Sequence, residues 1–407
     1  MIQGVARGVA RGGLGLALCS LGLLAWGSDS FAKGSRQNDA TDKWHPGIYV
    51  KVQDDQLREK DGSNAKMEAI YSELKSTPQL RGIKVVLLWG RYEKKDPSTG
   101  AITYDFREID EILNRLAVLD NKHLILSFAW REFKSTDGIV DMLPSDLRRG
   151  ISWNDDPVWA HTKYDYLWAY RMSRKPGHYS YCLKLWDPMI ISRIDAFLKA
   201  LATHVDSHPH FNQISTTESA LGQPIIPFGP GEGGELQSEG QLTIIRLMRK
   251  YFVRSLVVPA FNFNRKYVAR VVSVLEKEGI GLGSPNSNKS ESLTHTASID
   301  APGVLTYYPR LSGKVVLAPE IQGDDYRSSV GDDRIKDTPS YEALYLRVRD
   351  DLKANYTVMQ RNSPFWLGDA RTPSMLRFIQ TYPAIVNDPT GAGGLNSAKP
   401  RSLLTTP

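Results

Sequence analysis

The chain has 407 residues, a mass of 45.5 kDa and a formal net charge of +6, which leaves room for one large barrel with insertions or for two ordinary domains. Hydrophobic residues make up 41% of it, enough for a sizeable core, and this excludes a disordered chain. The charge is mixed in sign with no long Lys/Arg run, which argues against nucleic acid as a partner, although a weak attraction to an acidic polysaccharide is compatible with it.

Residues 1–32 read as an export signal: Arg7 and Arg11 form a basic start, Gly13 to Gly27 is apolar, and Ser30-Phe-Ala32 offers small residues for cleavage. The apolar stretch is short for a bilayer span, so a retained anchor is the lesser reading and no stable membrane insertion is expected after cleavage. Cys19 follows Leu18 where a lipoprotein site needs a small residue. After cleavage Cys182 is the sole cysteine, so stability must come from the core rather than from a disulfide. The expected destination is the periplasm or the medium.

Residues 33–43 are polar and read as a flexible leader, and residues 44–386 read as one domain. Eight short apolar runs predict strands at Gly47–Lys51, Ile83–Trp89, His123–Trp130, Gln213–Glu218, Leu256–Asn262, Gly279–Gly283, Val315–Glu320 and Tyr356–Gln360. Most are continuous in Val, Ile, Leu and Ala, as parallel strands covered on both faces require. Helical patterns at Ala65–Leu74, Phe106–Leu119, Pro188–His204, Leu242–Phe252, Arg265–Lys277 and Tyr341–Lys353 fall between them. The sixth connection, near 284–314, shows no clear helix. This alternation predicts an α/β chain, a (β/α)8 TIM barrel with a long aromatic-rich insertion after the third strand. Residues 387–407, rich in Gly, Ser, Pro and Thr, read as a disordered tail.

Two glutamates then stand out. Glu218 and Glu320 end the fourth and seventh predicted strands, so both reach the carboxyl-terminal rim, where barrels keep their chemistry. A facing pair of carboxylates, one protonated and one ionised, is what glycosidic bond hydrolysis needs. The insertion between Trp130 and Pro188 carries Trp153, Trp159, Tyr164, Tyr166, Trp168, Tyr170, Tyr179, Tyr181 and Trp186, placed either to line a cleft for sugar faces or to form the insertion's own small core.

From about Trp44 to Trp366 the chain resembles the superfamily of retaining (β/α)8 glycoside hydrolases, the clan that includes cellulases, mannanases and β-galactosidases. The resemblance is sharpest in the helix-to-strand run from Trp186-Asp-Pro through His208-Pro-His-Phe-Asn-Gln-Ile-Ser-Thr-Thr-Glu218. It implies that Glu218 is the acid/base and Glu320 the nucleophile. It further implies that Arg91 supports the nucleophile, that Trp366 floors a sugar subsite, and that Tyr308 or Asn286 takes the place of a tyrosine bonded to the nucleophile. Trp89, Trp130 and Gln322 join the expected substrate-binding set, with Gln360, Asp324 and Asp325 behind them. The family has Asn before its acid/base; here Thr217 stands there, which leaves subfamily and substrate open and admits a barrel that binds glycan without cleaving it, or a transglycosylase.

Other motifs carry less. Gly229-Pro-Gly231-Glu-Gly-Gly234 has the spacing of a dinucleotide loop, but it follows Pro227 rather than a clean strand and carries Glu232 beside Glu235, which repel phosphate. His204, His208 and His210 precede the fourth strand, at the end of the barrel away from the rim, and read as a helix end and turn rather than a metal site. With no serine-hydrolase elbow and no zinc spacing, no cofactor and no metal are expected, and the expected partner is a carbohydrate substrate.

Overall fold

The computed structural model describes residues 43–57, 62–131, 139–147, 166–171, 179–219, 223–224, 234–262, 265–287, 302–323, 325–326, 340–361 and 365–404. The expected export signal and most of the leader lie outside them.

Eight parallel strands form one sheet: Gly47–Val52, Leu80–Leu87, His123–Phe128, Phe211–Thr216, Leu256–Val258, Leu282–Ser284, Leu317–Ile321 and Tyr356–Gln360. They neighbour one another in chain order, with the first strand pairing both the second and the eighth. The ring closes between the fifth and sixth strands through a parallel bridge, Ala260 to Gly283, with Gly283 N donating to Pro259 O at 2.8 Å and Gly281 N to Val257 O at 2.9 Å. Glycine suits this seam, because a Cβ on Gly281 would lie 2.7 Å from Val258. The architecture is a (β/α)8 barrel.

Side chains alternate across each strand. Outward residues such as Ile48, Val85, Leu126 and Leu317 pack on the helices in the larger core cluster. A second cluster, Tyr49, Ile125, Leu256, Val258, Val316, Ala318, Tyr356 and Val358, fills the barrel itself. Above it the inward positions turn polar: Lys51, Lys84, Ser215 and Glu320.

The helix before the fourth strand, Pro188–Val205, shows why the Trp186-Asp-Pro run matters. Pro188 opens the first turn, and the Asp187 carboxylate caps it by accepting from Met189 N at 2.8 Å. At its far end Asp206 accepts from Arg254 N and Ser255 N, both at 2.9 Å, tying the fourth unit to the fifth strand.

Several expectations need correction. The second strand ends at Leu87, and Trp89 begins a helical turn, Trp89–Tyr92, instead of closing the strand. The sixth connection does contain helical turns, at Val304–Tyr307 and Tyr308–Leu311. The insertion after the third strand holds a hairpin, Leu167–Arg171 with Tyr179–Leu183, joined by Gln223–Pro224.

The tail is not disordered over 387–404. It runs beneath the barrel, where Asn396 N donates to Ala354 O, Arg401 N to Gly313 O, and Leu403 packs against the interior cluster. Lys43 is also fixed, its ammonium donating to the carbonyls of His208 and Phe211. Together these close the amino-terminal end. Trp44 lies edge-on to Tyr356 and donates to Ser397 O at 2.8 Å, and His45 stacks on His123 with ring centroids 3.8 Å apart.

Candidate active site

Glu320 lies within the seventh strand, and its side chain is 3% exposed. Lys84, from the second strand, donates to Oε1 at 2.5 Å; Lys51, from the first, donates to Oε2 at 2.7 Å. Gln322 Nε2 also reaches Oε2, at 3.1 Å. Burial works against the ionised form, but the two ammoniums outweigh it and hold the carboxyl down to about 2. Beneath it, Ser287 Oγ donates to Glu320 O at 2.7 Å, and the buried Asp325 gathers the backbone N–H groups of Gln322 and Ser287.

Glu218 stands two residues beyond the fourth strand. Its neighbour Thr217 still pairs with the third strand, N to Phe128 O at 2.9 Å. Trp130 Nε1 donates to Glu218 O at 3.0 Å and fixes the turn. The carboxyl is 19% exposed, accepts from Asn262 Nδ2 at 2.9 Å, and lies 4.0 Å from the Arg131 guanidinium. Burial pushes its pKa above the usual carboxylate value; the charge of Glu320 adds to that, while Arg131, Asn262 and Lys51 oppose it. Lys51 acts on both carboxyls, so the pair shares one electrostatic field at one rim. The two environments push the groups in opposite directions, one toward a proton donor and the other toward a permanent anion.

The remaining expected residues divide. Gln322 is at Glu320, as described. Thr217 is half-buried, and its buried hydroxyl beside Glu218 has no hydrogen-bond partner among the described residues. Asn286 is half-buried next to Ser287, with its carbonyl accepting from Ser284. Gln360 accepts from Gly323 N at 2.8 Å.

Six residues are corrected. Arg91 does not support Glu320; it forms an ion pair with Asp141 at 2.6 Å, and lysines occupy the role expected of it. Trp89 is wholly buried against Phe197, with its N–H on Glu93 Oε2, so it has no free face for a sugar. Trp130 is wholly buried as well, a support beneath Glu218 rather than a stacking platform. Trp366 is 1% exposed and donates to Glu73 at 2.8 Å. Tyr308 is buried and donates to Leu282 O rather than to Glu320. Asp325 likewise is a buried backbone anchor instead of a loop contact for sugar. For the aromatic residues the same side chain could line a cleft or fill a core, and its burial and polar partner decide for the core.

Among the insertion's aromatics, Trp168 and Tyr181 are buried; Trp186 packs on the Trp168–Cys182 cluster to form a small local core, while Tyr181 joins the main core. Trp153, Trp159, Tyr164, Asp324 and Gly229 to Gly233 lie outside the described residues. His204 bonds Asp110, His210 bonds Lys122 O, and His208 Nδ1 accepts from His210 N. Among the described residues no group of three His, Cys, Asp or Glu could hold a metal ion.

Four site residues were not anticipated: Lys51, Lys84, Arg131 and Asn262. The lysines did leave a signal. Each interrupts a strand of Val, Ile and Leu at an inward position, and a buried ammonium requires a carboxylate partner.

The fold and rim thus define a (β/α)8 barrel with an acid-leaning and an ionised glutamate at its carboxyl-terminal mouth. Among solved structures the chain is similar to the endo-glycoceramidase II of Rhodococcus sp. in its lactosyl-enzyme form (12% identity, 84% of this chain and 80% of that one, TM-score 0.45). It is similar also to a psychrophilic family 10 endo-β-1,4-xylanase (11%, 83% and 97%, 0.43) and to the β-galactosidase of Bacillus circulans sp. alkalophilus (13%, 78% and 50%, 0.47). No protein-family model and no curated protein matches the chain. The barrel is established by its own strand order and closing bridge, independently of these likenesses.

Proposed function

We propose that this chain is an exported glycoside hydrolase that cleaves a β-linked glycan by double displacement. The observation that carries the reading is the pair of carboxyls at one barrel rim in unlike settings, Glu320 clamped by the Lys51 and Lys84 ammoniums and Glu218 mostly buried beside Asn262 and Arg131. The Glu218 carboxyl gives its proton to the leaving oxygen while a Glu320 oxygen bonds the anomeric carbon. Glu218, now a carboxylate, takes a proton from water as the water oxygen displaces Glu320. Each carboxylate oxygen has two lone pairs, so Oε1, bonded to Lys84, keeps one for attack.

A second reading, a barrel that binds glycan without cleaving it, is favoured by the same clamp. A carboxylate held by two ammoniums is a weakened nucleophile. The experiment is hydrolysis of a panel of aryl β-glycosides by the purified protein, with the anomeric configuration of the first product read by NMR. Retained configuration, with a drop of roughly 10²–10⁴-fold in kcat for Glu218→Gln, supports the hydrolase. Glycan binding with no turnover on any substrate supports the binding barrel. Transfer to an added sugar acceptor in preference to water identifies a transglycosylase. Export is checked by the mass of the mature amino terminus recovered from the periplasm or medium.

A further inference from the structure

The charge at the floor of the cleft does not balance. Glu320 carries one negative charge and is held by two lysines, Lys51 and Lys84. Lys84 is enclosed, 3% exposed, with its ammonium also on Ser215 Oγ at 3.1 Å. Lys51, its register partner in the first strand, differs in being 16% exposed. The other charged groups around this cluster are matched. Arg131 lies 4.0 Å from Glu218, Arg347 pairs with Asp351 at 3.3 Å, the buried Asp325 holds backbone N–H groups, and Glu73 takes a bidentate contact from Arg361. The nearby amides, Gln322, Gln360 and Asn262, are neutral. Among the described residues the Lys51–Glu320–Lys84 cluster therefore keeps one cation in excess, in a barrel whose apolar walls strengthen its field.

We propose that the excess is matched by the ligand, and that the sugar bound between Glu218 and Glu320 is anionic, carrying a carboxylate or a sulfate ester that pairs with Lys51. This deepens the glycosidase reading by naming its substrate class, and it rests on that reading only for the location of the site. A neutral sugar leaves the partly buried ammonium without a second counter-charge. An anionic substituent supplies one, and because the Lys51 side chain is partly exposed and its ammonium has three N–H groups it can make that contact while keeping its bond to Glu320.

The test compares aryl β-D-glucuronide, aryl 6-sulfo-β-D-glucoside and aryl β-D-glucoside with one shared leaving group, in low salt and again in 0.5 M NaCl (about a fourfold shorter screening length than at the low end). The same three sugars, without the aryl group, are titrated into Glu218→Gln by calorimetry. The expected result is a kcat/KM for one anionic glycoside at least about tenfold above that for the glucoside, a ratio that falls in high salt, and a ratio that falls again in Lys51→Gln. Whichever of the two anionic arms leads identifies carboxylate or sulfate. Equal or better hydrolysis of the neutral glucoside overturns the proposal and leaves the hydrolase reading standing. Preferential binding of an anionic sugar with no hydrolysis overturns the hydrolase reading and sustains the anionic site. Neither hydrolysis nor binding of any arm overturns both. Lys51→Arg keeps the charge and must keep the preference; losing it there overturns the assignment to Lys51.

Discussion

At the scale of single residues the site is organised by lysine. Removing Glu320 and removing Lys84 have unequal consequences because the cluster holds two cations and one anion. Glu320→Gln leaves the enclosed Lys84 ammonium and the partly exposed Lys51 ammonium facing a neutral amide and should cost about 3–5 kcal/mol, the range for breaking a buried ion pair. Lys84→Met leaves Glu320 matched by Lys51, and it should cost clearly less. Urea unfolding of both variants with unchanged m-values checks the order. Lys84→Met also removes one of the two charges that hold the Glu320 carboxyl down to about 2. The folded pKa must then rise, so the acid limb of the kcat/KM profile moves to higher pH. An acid limb that stays in place would show that Lys51 alone sets the ionisation of Glu320.

At the scale of elements, the eight strands were legible because parallel strands buried on both faces need unbroken runs of Val, Ile, Leu and Ala, and few other segments here have them. The ends were less legible. Trp89 continues the apolar run Val85–Leu88, but the second strand stops at Leu87 because the chain turns to place the Trp89 N–H on Glu93. Glu93 is itself held by Arg193, which also binds Asp146 at 2.9 Å, a buried polar hub that no local pattern announces. That Glu218 and Glu320 would reach one rim could be read from strand-end position alone. The identity of what surrounds it could not, since Arg91, Trp366 and Tyr308 have the right residue types near the right strands and find partners elsewhere. Lys51 and Lys84 were readable in principle by their inward parity. Gly82 illustrates a constraint set by pairing: it has φ +154°, and a Cβ there would lie 1.8 Å from His123 O in the neighbouring strand. Gly82→Ala should push apart the second and third strands, and it should abolish soluble expression or lower the thermal midpoint by at least a few degrees, on the order of 3 kcal/mol or more at about 1 °C per kcal/mol for a chain of this size.

At the scale of the whole molecule, the amino-terminal floor adds a pH dependence. Burial pushes His45 down to about 2 and His123 to about 3, each lowered further by the other or by nearby cations. Both rings are neutral in the folded protein, while in the unfolded chain they take up protons near pH 6.5. The unfolded state thus binds more protons over this interval, so the contribution of these rings is complete above about pH 6.5 and is lost as pH falls toward 3. Glu320 has the same sign, with its loss running from about 4.5 down to 2. The predicted profile is a stability that declines in two stages on acidification. In His123→Gln the upper stage, between about pH 6.5 and 3, should shrink in denaturant midpoints measured across pH; an unchanged upper stage would remove the histidine floor from the account.

The tail was misread for a related reason. Gly, Ser, Pro and Thr lack the periodicity of helix or strand, yet the segment 387–404 is held by carbonyls and caps on the barrel's underside rather than by a pattern of its own. This closure has a bearing on how the protein is made. Trp44 reaches Ser397 across 353 positions of sequence, and Leu403 meets the interior cluster from the same side. A chain emerging from the ribosome amino terminus first holds its opening segment without its counterpart until nearly everything else has been synthesised. The barrel therefore cannot seal early. The contact of Trp44 with Ser397 then forms only after the strands between them have been made.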